Sequence, residues 1–337
     1  MHKLKTKQRD VPYCGIRKKN VEYADPKLNP GVFEVLYHFI HERYSIHLKK
    51  DVLGLEKPWT KDPIFQQYKF TNVRREHDRQ TKELIRLVSS NPELSLEEKI
   101  ANTFLFRAWN NADTFTAFGG PWKLHVIYDP RTKESARAVY KRISEAEPER
   151  VWFSSAYNQG GTKQSWSALE PPYIAPAEPD IPLRVFHVGV WLGRDNVIQR
   201  LLASKDQMKC FEVIKSVRGF ADFLAYQVFV DLTYIGEFPF SENEFVVAGP
   251  GCKRGLELLF DDFGGMSHEE ALFWLRDRFE LVCEQRGLCD PSIGFFDLDP
   301  SDRKMNVMSL ENCFCELSKY IKSINNTGRP KVRYDGV

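Results

Sequence analysis

Ile214-Lys-Ser-Val-Arg-Gly-Phe-Ala-Asp-Phe-Leu-Ala-Tyr-Gln-Val-Phe-Val-Asp231 is the stretch that decides the fold. Apolar residues run up to and away from a hairpin centred on Gly219, with helical spacing on both flanks. Glycine permits a turn conformation that other residues adopt only under strain. The pattern is that of a helix-hairpin-helix, whose amides at the start of the second helix can hold a nucleic-acid phosphate without reading sequence. It also describes an ordinary helical hairpin. On the first reading Lys215, Arg218 and Gly219 meet the DNA backbone, while Tyr226, Gln227 and Asp231 lie along the second helix.

Working outward, helices dominate. Phe33, Leu36, Tyr37, Ile40 and Tyr44 recur at helical spacing. The segment after Phe70 predicts a helix to about Val88, capped by Thr71 or Asn72, with Val73, His77, Leu84 and Val88 on one face. Ser95-Leu-Glu-Glu98 and Ser267-His-Glu-Glu270 are capping boxes, and Leu310 to Ile324 reads as a final amphipathic helix. Short strands are expected at 123–128 and 185–192, and the Pro- and Gly-bearing stretch 145–185 reads as the longest loop. The class is mainly α with a few short strands. Residues 1–30 form a basic, loosely ordered arm, and 31–337 form one helical region or two lobes divided near 145–185.

The net charge of +2 is unevenly spread. Seven bases, from Lys3 to Lys19, face only Asp10 in the first twenty residues, and the C-terminal stretch from Lys319 to Arg333 is basic too. Basic ends suit a polyanion, though they also serve as solubilising tails. No apolar run reaches the roughly 20 residues that span a bilayer, and no signal-type segment opens the chain. Seven scattered cysteines point to reduced thiols in a cytoplasm, a host's if the chain is viral, and Cys313-Phe-Cys315 lacks the spacing of a zinc site. No metal site is expected.

Familiar chemistries fail first. Gly249-Pro-Gly-Cys-Lys-Arg-Gly255 lacks the Gly-Lys-Ser/Thr ending of a nucleotide phosphate loop. It reads either as a turn whose amides, with Lys253 and Arg254, face an anion, or as a structural turn with two solvated bases. Tyr68-Lys-Phe-Thr-Asn-Val-Arg-Arg-Glu-His-Asp-Arg-Gln-Thr81 crowds Arg74, Arg75, Asp78 and Arg79 together, with Arg74–Asp78 and Asp78–Lys82 spaced as i,i+4 pairs. Alone, this is a solvated charged face. In Leu310-Glu-Asn-Cys-Phe-Cys-Glu-Leu-Ser-Lys-Tyr320, Glu316 with Lys319 or Tyr320 is a surface pair or part of a site.

Together these pieces resemble the α-glutamyl/putrescinyl thymine pyrophosphorylase superfamily, which includes phage amino acid:DNA transferases and the helical domain associated with 5-hydroxymethyluracil DNA kinases. Also matching are Glu42-Arg-Tyr44, Pro58-Trp-Thr-Lys-Asp-Pro63, Phe106-Arg-Ala-Trp-Asn110 with Thr114, Ala156-Tyr157 and Ala248-Gly-Pro-Gly251. The similarity runs in order from about residue 33 to 334. It implies a glycosylase-like helical fold. It also implies transfer of an amine, such as an amino acid or putrescine, onto pyrophosphorylated 5-hydroxymethyluracil in DNA, with a separate kinase supplying the pyrophosphate. Leu317-Ser318 departs from the aromatic and acid expected there.

On that basis Arg74, Arg75, Lys253 and Arg254 are expected to meet the departing pyrophosphate. Asp78 or Glu316 is the candidate base for the amine, and Asp231 steadies a cationic carbon or orients substrate. Asn110, Lys163, Gln227 and Lys319 complete the substrate-binding set, with Tyr226, Trp109 or Tyr157 stacking on an extruded base. No cofactor is required by the motifs, and Mg2+ is left open by the pyrophosphate chemistry. The competing readings are a non-catalytic DNA-binding module and a base-excision enzyme.

Overall fold

A computed structural model describes Gly15, residues 23–154, 180–288 and 305–328, Pro330 and Arg333. Among the described residues the chain is mainly helical, with one two-stranded sheet. Strand β1 (Lys27–Leu28) pairs antiparallel with β2 (Phe260–Asp262). Two backbone bonds tie residues ahead of the first helix to the rest of the fold: Gly15 accepts from the Val246 amide at 2.9 Å, and Asn29 donates its amide to the Leu259 carbonyl at 2.7 Å.

Helix α1 (Pro30–His47) begins where the Asn29 side chain accepts from the Val32 amide, and it buries Phe33, Leu36, Phe39, Ile40 and Tyr44. A wide helical turn, Leu48–Val52, and the short α2 (Pro63–Gln67) follow. The expected helix from Thr71 starts later. Residues 71–74 are irregular, Arg75–His77 make one tight turn, and only Arg79–Leu84 is α-helical (α3), continuing into a wide turn at Ile85–Ser89. The cause is visible in the hydrogen bonds. Asp78 turns back to accept the Asn72 amide at 2.8 Å, and Asn72 Nδ2 donates to the His77 carbonyl at 2.9 Å. This local loop competes with helix, as Asx side chains commonly do. The Arg74–Asp78 pair is consequently not made; Arg74 lies 3.4 Å from Glu76 instead.

Both capping boxes are present, opening α4 (Leu96–Trp109) and the later helix His268–Gln285. Then come α5 (Ala112–Ala117), α6 (Leu124–Tyr128), α7 (Thr132–Ala146), α8 (Ile181–Arg184), α9 (Phe186–Arg194) and α10 (Val197–Leu202). The stretches expected as strands at 123–128 and 185–192 are thus α6 and the start of α9. Their short apolar runs are buried helix faces, a case that periodicity alone does not separate from strands. Helices α4 and α9 pack on each other. Residues 155–179, including Tyr157 and Lys163, lie outside the described residues.

Helices α11 (Gln207–Lys215) and α12 (Asp222–Leu232) flank the hairpin, and Gly219 takes the left-handed φ of 89°. They are followed by α13 (Pro250–Leu259), α14 (His268–Gln285) and α15 (Val307–Ile324). Two helix groups result. Helices α1, α13, α14 and α15 form one, and α4, α6 and α9–α12 form the other.

The Gly-Pro-Gly segment is not a free turn. Gly249 caps α13 and Pro250 is its first residue. The next two glycines serve packing: a Cβ on Gly251 would sit 2.3 Å from Cys315 Sγ, and one on Gly255 2.4 Å from the Phe314 carbonyl oxygen. Helix α13 lies directly on α15 because both positions lack side chains. Gly255→Ala is expected to cost about 1–3 kcal/mol, read as a lower urea midpoint at unchanged slope.

Candidate functional site

The candidate site lies where the two helix groups meet. From one side the irregular 70–78 segment, α13 and α15 supply Arg75, Asp78, Gly249, Glu311 and Glu316. From the other, α4 and α12 supply Arg107, Gln227 and Asp231. The 70–78 segment is held in place by its neighbours. Arg43 Nε reaches the Phe70 and Thr71 carbonyls at 3.1 and 3.0 Å, and Asn312 Nδ2 reaches Thr71 Oγ1 and the Asn72 carbonyl at 3.0 and 3.2 Å.

Arg75 occupies the centre. It donates to Gln227 Oε1, and its Nη1 lies 3.5 Å from Glu311 Oε2. The other Glu311 oxygen accepts the Gly249 amide at 3.3 Å, at the start of α13. Behind Arg75, Arg107 grips Asp231 with two bonds of 2.5 Å and reaches Asn110 Oδ1 at 2.7 Å. Asn110 takes a left-handed conformation at the end of α4, with φ 49°, and passes a hydrogen bond to Ser154 Oγ at 2.5 Å. A bidentate pair this deeply buried is rigid, and breaking it would strand a charge.

Besides Asp231, which burial raises against the pull of Arg107, three carboxyls around the arginines are pushed upward. Burial raises Glu311 to about 7 against the opposing pull of Arg75 and the Gly249 amide. It raises Glu242 to about 7, helped by Glu76 and opposed by Arg74 and Arg75. It raises Asp78 to about 6, opposed by the Asn72 amide, Arg75 and Arg43. Near neutral pH these acids are partly protonated, so the arginines beside them are incompletely neutralised. The cluster is therefore suited to receive an anion and to take up or release a proton.

The sign of the resulting pH dependence is unusual for carboxylates. The folded protein holds protons on Glu311 and Glu242 that an unfolded chain, with an ordinary value of 4.5, releases. These two groups favour folding most below the unfolded value, and that benefit is lost as pH rises toward 7. Between about pH 5 and pH 7.5 the urea midpoint should fall, and Glu311→Gln with Glu242→Gln should flatten the slope.

The structure gathers many of the sequence-predicted residues. Glu316 is buried and pairs with Lys319 at 2.5 Å, while its charge also raises Asp78 and Glu311. Arg254 is exposed on the first turn of α13 and acts electrostatically on Lys319; Lys253 beside it is half-buried. Arg74 is buried next to Glu76. Two expected stacking platforms are instead core residues. Tyr226 is 2% exposed and Trp109 0%, the latter donating to the Pro182 carbonyl among Phe115, Phe118, Trp122 and Phe186. Neither ring presents a face to a base.

At the hairpin, Arg218 is exposed and lies over the Trp191 ring, whereas Lys215 is engaged by Glu212 at 3.2 Å and Asp222 at 2.9 Å. Gln227 lies about one and a half turns along α12 from this end.

Sequence reasoning missed Arg107, Glu242 and the central place of Glu311. Arg107 had a signal, a lone cation within Phe104-Leu-Phe-Arg-Ala-Trp109. Glu242 had none. No group of three or more His, Cys, Asp or Glu side chains among the described residues is placed to hold a metal ion. None of the helices among those residues is long and apolar enough to cross a membrane.

Fold and site thus define a mainly helical protein with a buried arginine–carboxyl network at the seam of two helix groups. The chain belongs to the family of the 5-hmdU DNA kinase helical domain, whose profile matches residues 30–329. It is 27% identical over 333 residues to a 5-hmdU DNA kinase of Bacillus phage SP10, an alignment covering 92% of this chain and 48% of the kinase. The chain therefore spans about half the length of that relative. No solved structure matches it.

Proposed function

We infer that this chain works in thymine hypermodification of viral DNA. Its reaction would replace the pyrophosphate on the exocyclic methylene of a modified uracil with an amine. The observation that carries this reading is Arg75, a largely enclosed cation between Gln227 and Glu311, beside carboxyls raised to about 7 and about 6. The methylene C–O bond breaks and pyrophosphate leaves with the electron pair. The amine nitrogen forms the new C–N bond, and its proton passes to a carboxylate. Arg75, with Arg74, stabilises charge on the leaving group. Glu311 or Asp78 takes the proton, since a base works best with a value near the working pH. The arginines are the cations that this chain itself offers near those acids.

Asp231 takes a supporting part. Both of its oxygens are occupied by Arg107 and it is 1% exposed, so it positions α12 against α4 rather than touching substrate. The glycosylase-like reading of the fold rests on the Gly219 hairpin between α11 and α12, whose exposed Arg218 suits a DNA phosphate.

One observation favours a second reading. The named relative is a kinase about twice as long, so this helical region could hold DNA for a kinase without chemistry of its own. The deciding experiment incubates the protein with DNA carrying 5-hydroxymethyluracil pyrophosphate and a panel of amines, then digests the DNA to nucleosides for mass analysis. Amine adducts support transfer. Salt-sensitive binding with unchanged nucleosides supports the holding role, and abasic sites would replace both with excision.

A further inference from the structure

The segment between α1 and α2 carries a feature unused by the site. Val52, Leu53 and Leu55 are 62%, 64% and 52% exposed, three aliphatic side chains in four residues. They are held outward by a closed set of bonds. The Leu53 amide donates to the Leu48 carbonyl at 2.9 Å and the Leu55 amide to the Lys49 carbonyl at 2.8 Å. Lys49 Nζ reaches the Trp59 carbonyl at 2.9 Å, and Trp59 Nε1 the Leu55 carbonyl at 2.6 Å. Gly54 turns the tip with a left-handed φ of 64°. A tip fixed in this way loses little conformational freedom when it is covered.

Charge and position indicate what covers it. Lys49, Lys50, Lys57 and Lys61 stand within this segment against Asp51, Glu56 and Asp62; Asp51 is drawn to His47 at 2.9 Å with Lys50 at 3.6 Å, and Asp62 caps α2 and meets His38 at 2.9 Å, away from the tip. Lys50 and Lys57 both lie over the Trp59 ring at 5.6 Å, holding their ammonium groups beside the tip. The wide turn that leads to the tip starts beside the candidate site. His47, one residue before the wide turn, stacks on His77 at 4.1 Å, and His77 neighbours Asp78.

We propose that Val52-Leu53-Gly54-Leu55 is an apolar wedge that enters duplex DNA next to the modified base, with the flanking lysines on the phosphates. This rests on the reading of the site as one acting on DNA. The methylene lies on the major-groove edge of a stacked base, but seating it against the enclosed arginine–carboxyl site requires the nucleotide to leave the stack, and aliphatic side chains inserted at a base step open it.

The test places 2-aminopurine beside 5-hydroxymethyluracil in a duplex and compares the full chain with Leu53→Ser/Leu55→Ser. Both positions are exposed, so the thermal midpoint of the variant should match the wild type. The wild type should raise 2-aminopurine fluorescence. The variant should lose that rise and bind the duplex about tenfold more weakly, while binding the single strand unchanged. A variant equal to wild type in fluorescence and duplex affinity overturns the wedge and leaves the patch to a protein partner. A wild type that binds neither DNA form overturns the DNA reading itself, and the wedge with it.

Discussion

Arg75→Ala should reduce amine-adduct formation by about a hundredfold or more, the usual consequence of removing a group that stabilises a leaving anion. The loss should fall on the rate at saturating DNA more than on DNA affinity, because Arg75 is largely enclosed and faces Gln227 and Glu311 rather than the strand. Arg75→Lys keeps the charge but forfeits the simultaneous reach to both partners, so it should recover only part of the rate. Removing the cation also releases Glu311 from its pull downward, and the carboxyl should rise further above about 7. The pH–rate profile of residual activity should therefore shift to higher pH. An Arg75→Ala protein with wild-type adduct yield would show that this network performs no chemistry.

The second large effect is on stability. Arg107→Ala leaves the Asp231 carboxylate buried without its bidentate partner and should cost about 3–5 kcal/mol in urea denaturation. Pairing Arg107→Met with Asp231→Leu removes both charges and should recover most of that loss. The double variant separates architecture from chemistry. If Asp231 only positions α12, the folded double variant retains measurable transfer, whereas a carboxylate that touches substrate would leave it inactive at every amine concentration.

These two residues mark how legible the site was. Asp231 and Arg75 stood out in the sequence as charges beside apolar helices, and both lie at the seam. Their partners did not stand out. Arg107 is 124 positions from Asp231, and Glu311 is more than two hundred from Arg75. No local spacing relates charges on elements that meet only when the two helix groups close. Tyr226 and Trp109 erred for the same reason: aromatic type is visible in sequence, but whether a ring faces solvent or a core is not.

What the sequence alone determined is the local grammar. Period-3.6 apolar faces, the capping boxes at Ser95 and Ser267 and the left-handed Gly219 fix most helices, because each depends on residues within one or two turns. The stretch that opened the reading is a helical hairpin, as its pattern says, yet its Lys215 is engaged by two acids and its Asp231 by an arginine. Tertiary structure decided the remainder. It fixed the irregular 70–72 backbone through Arg43 and Asn312, made packing residues of Gly251 and Gly255, and raised Glu311 and Glu242 by removing them from water. Desolvation and long-range pairing arise from the whole enclosure, and a linear pattern carries no measure of either.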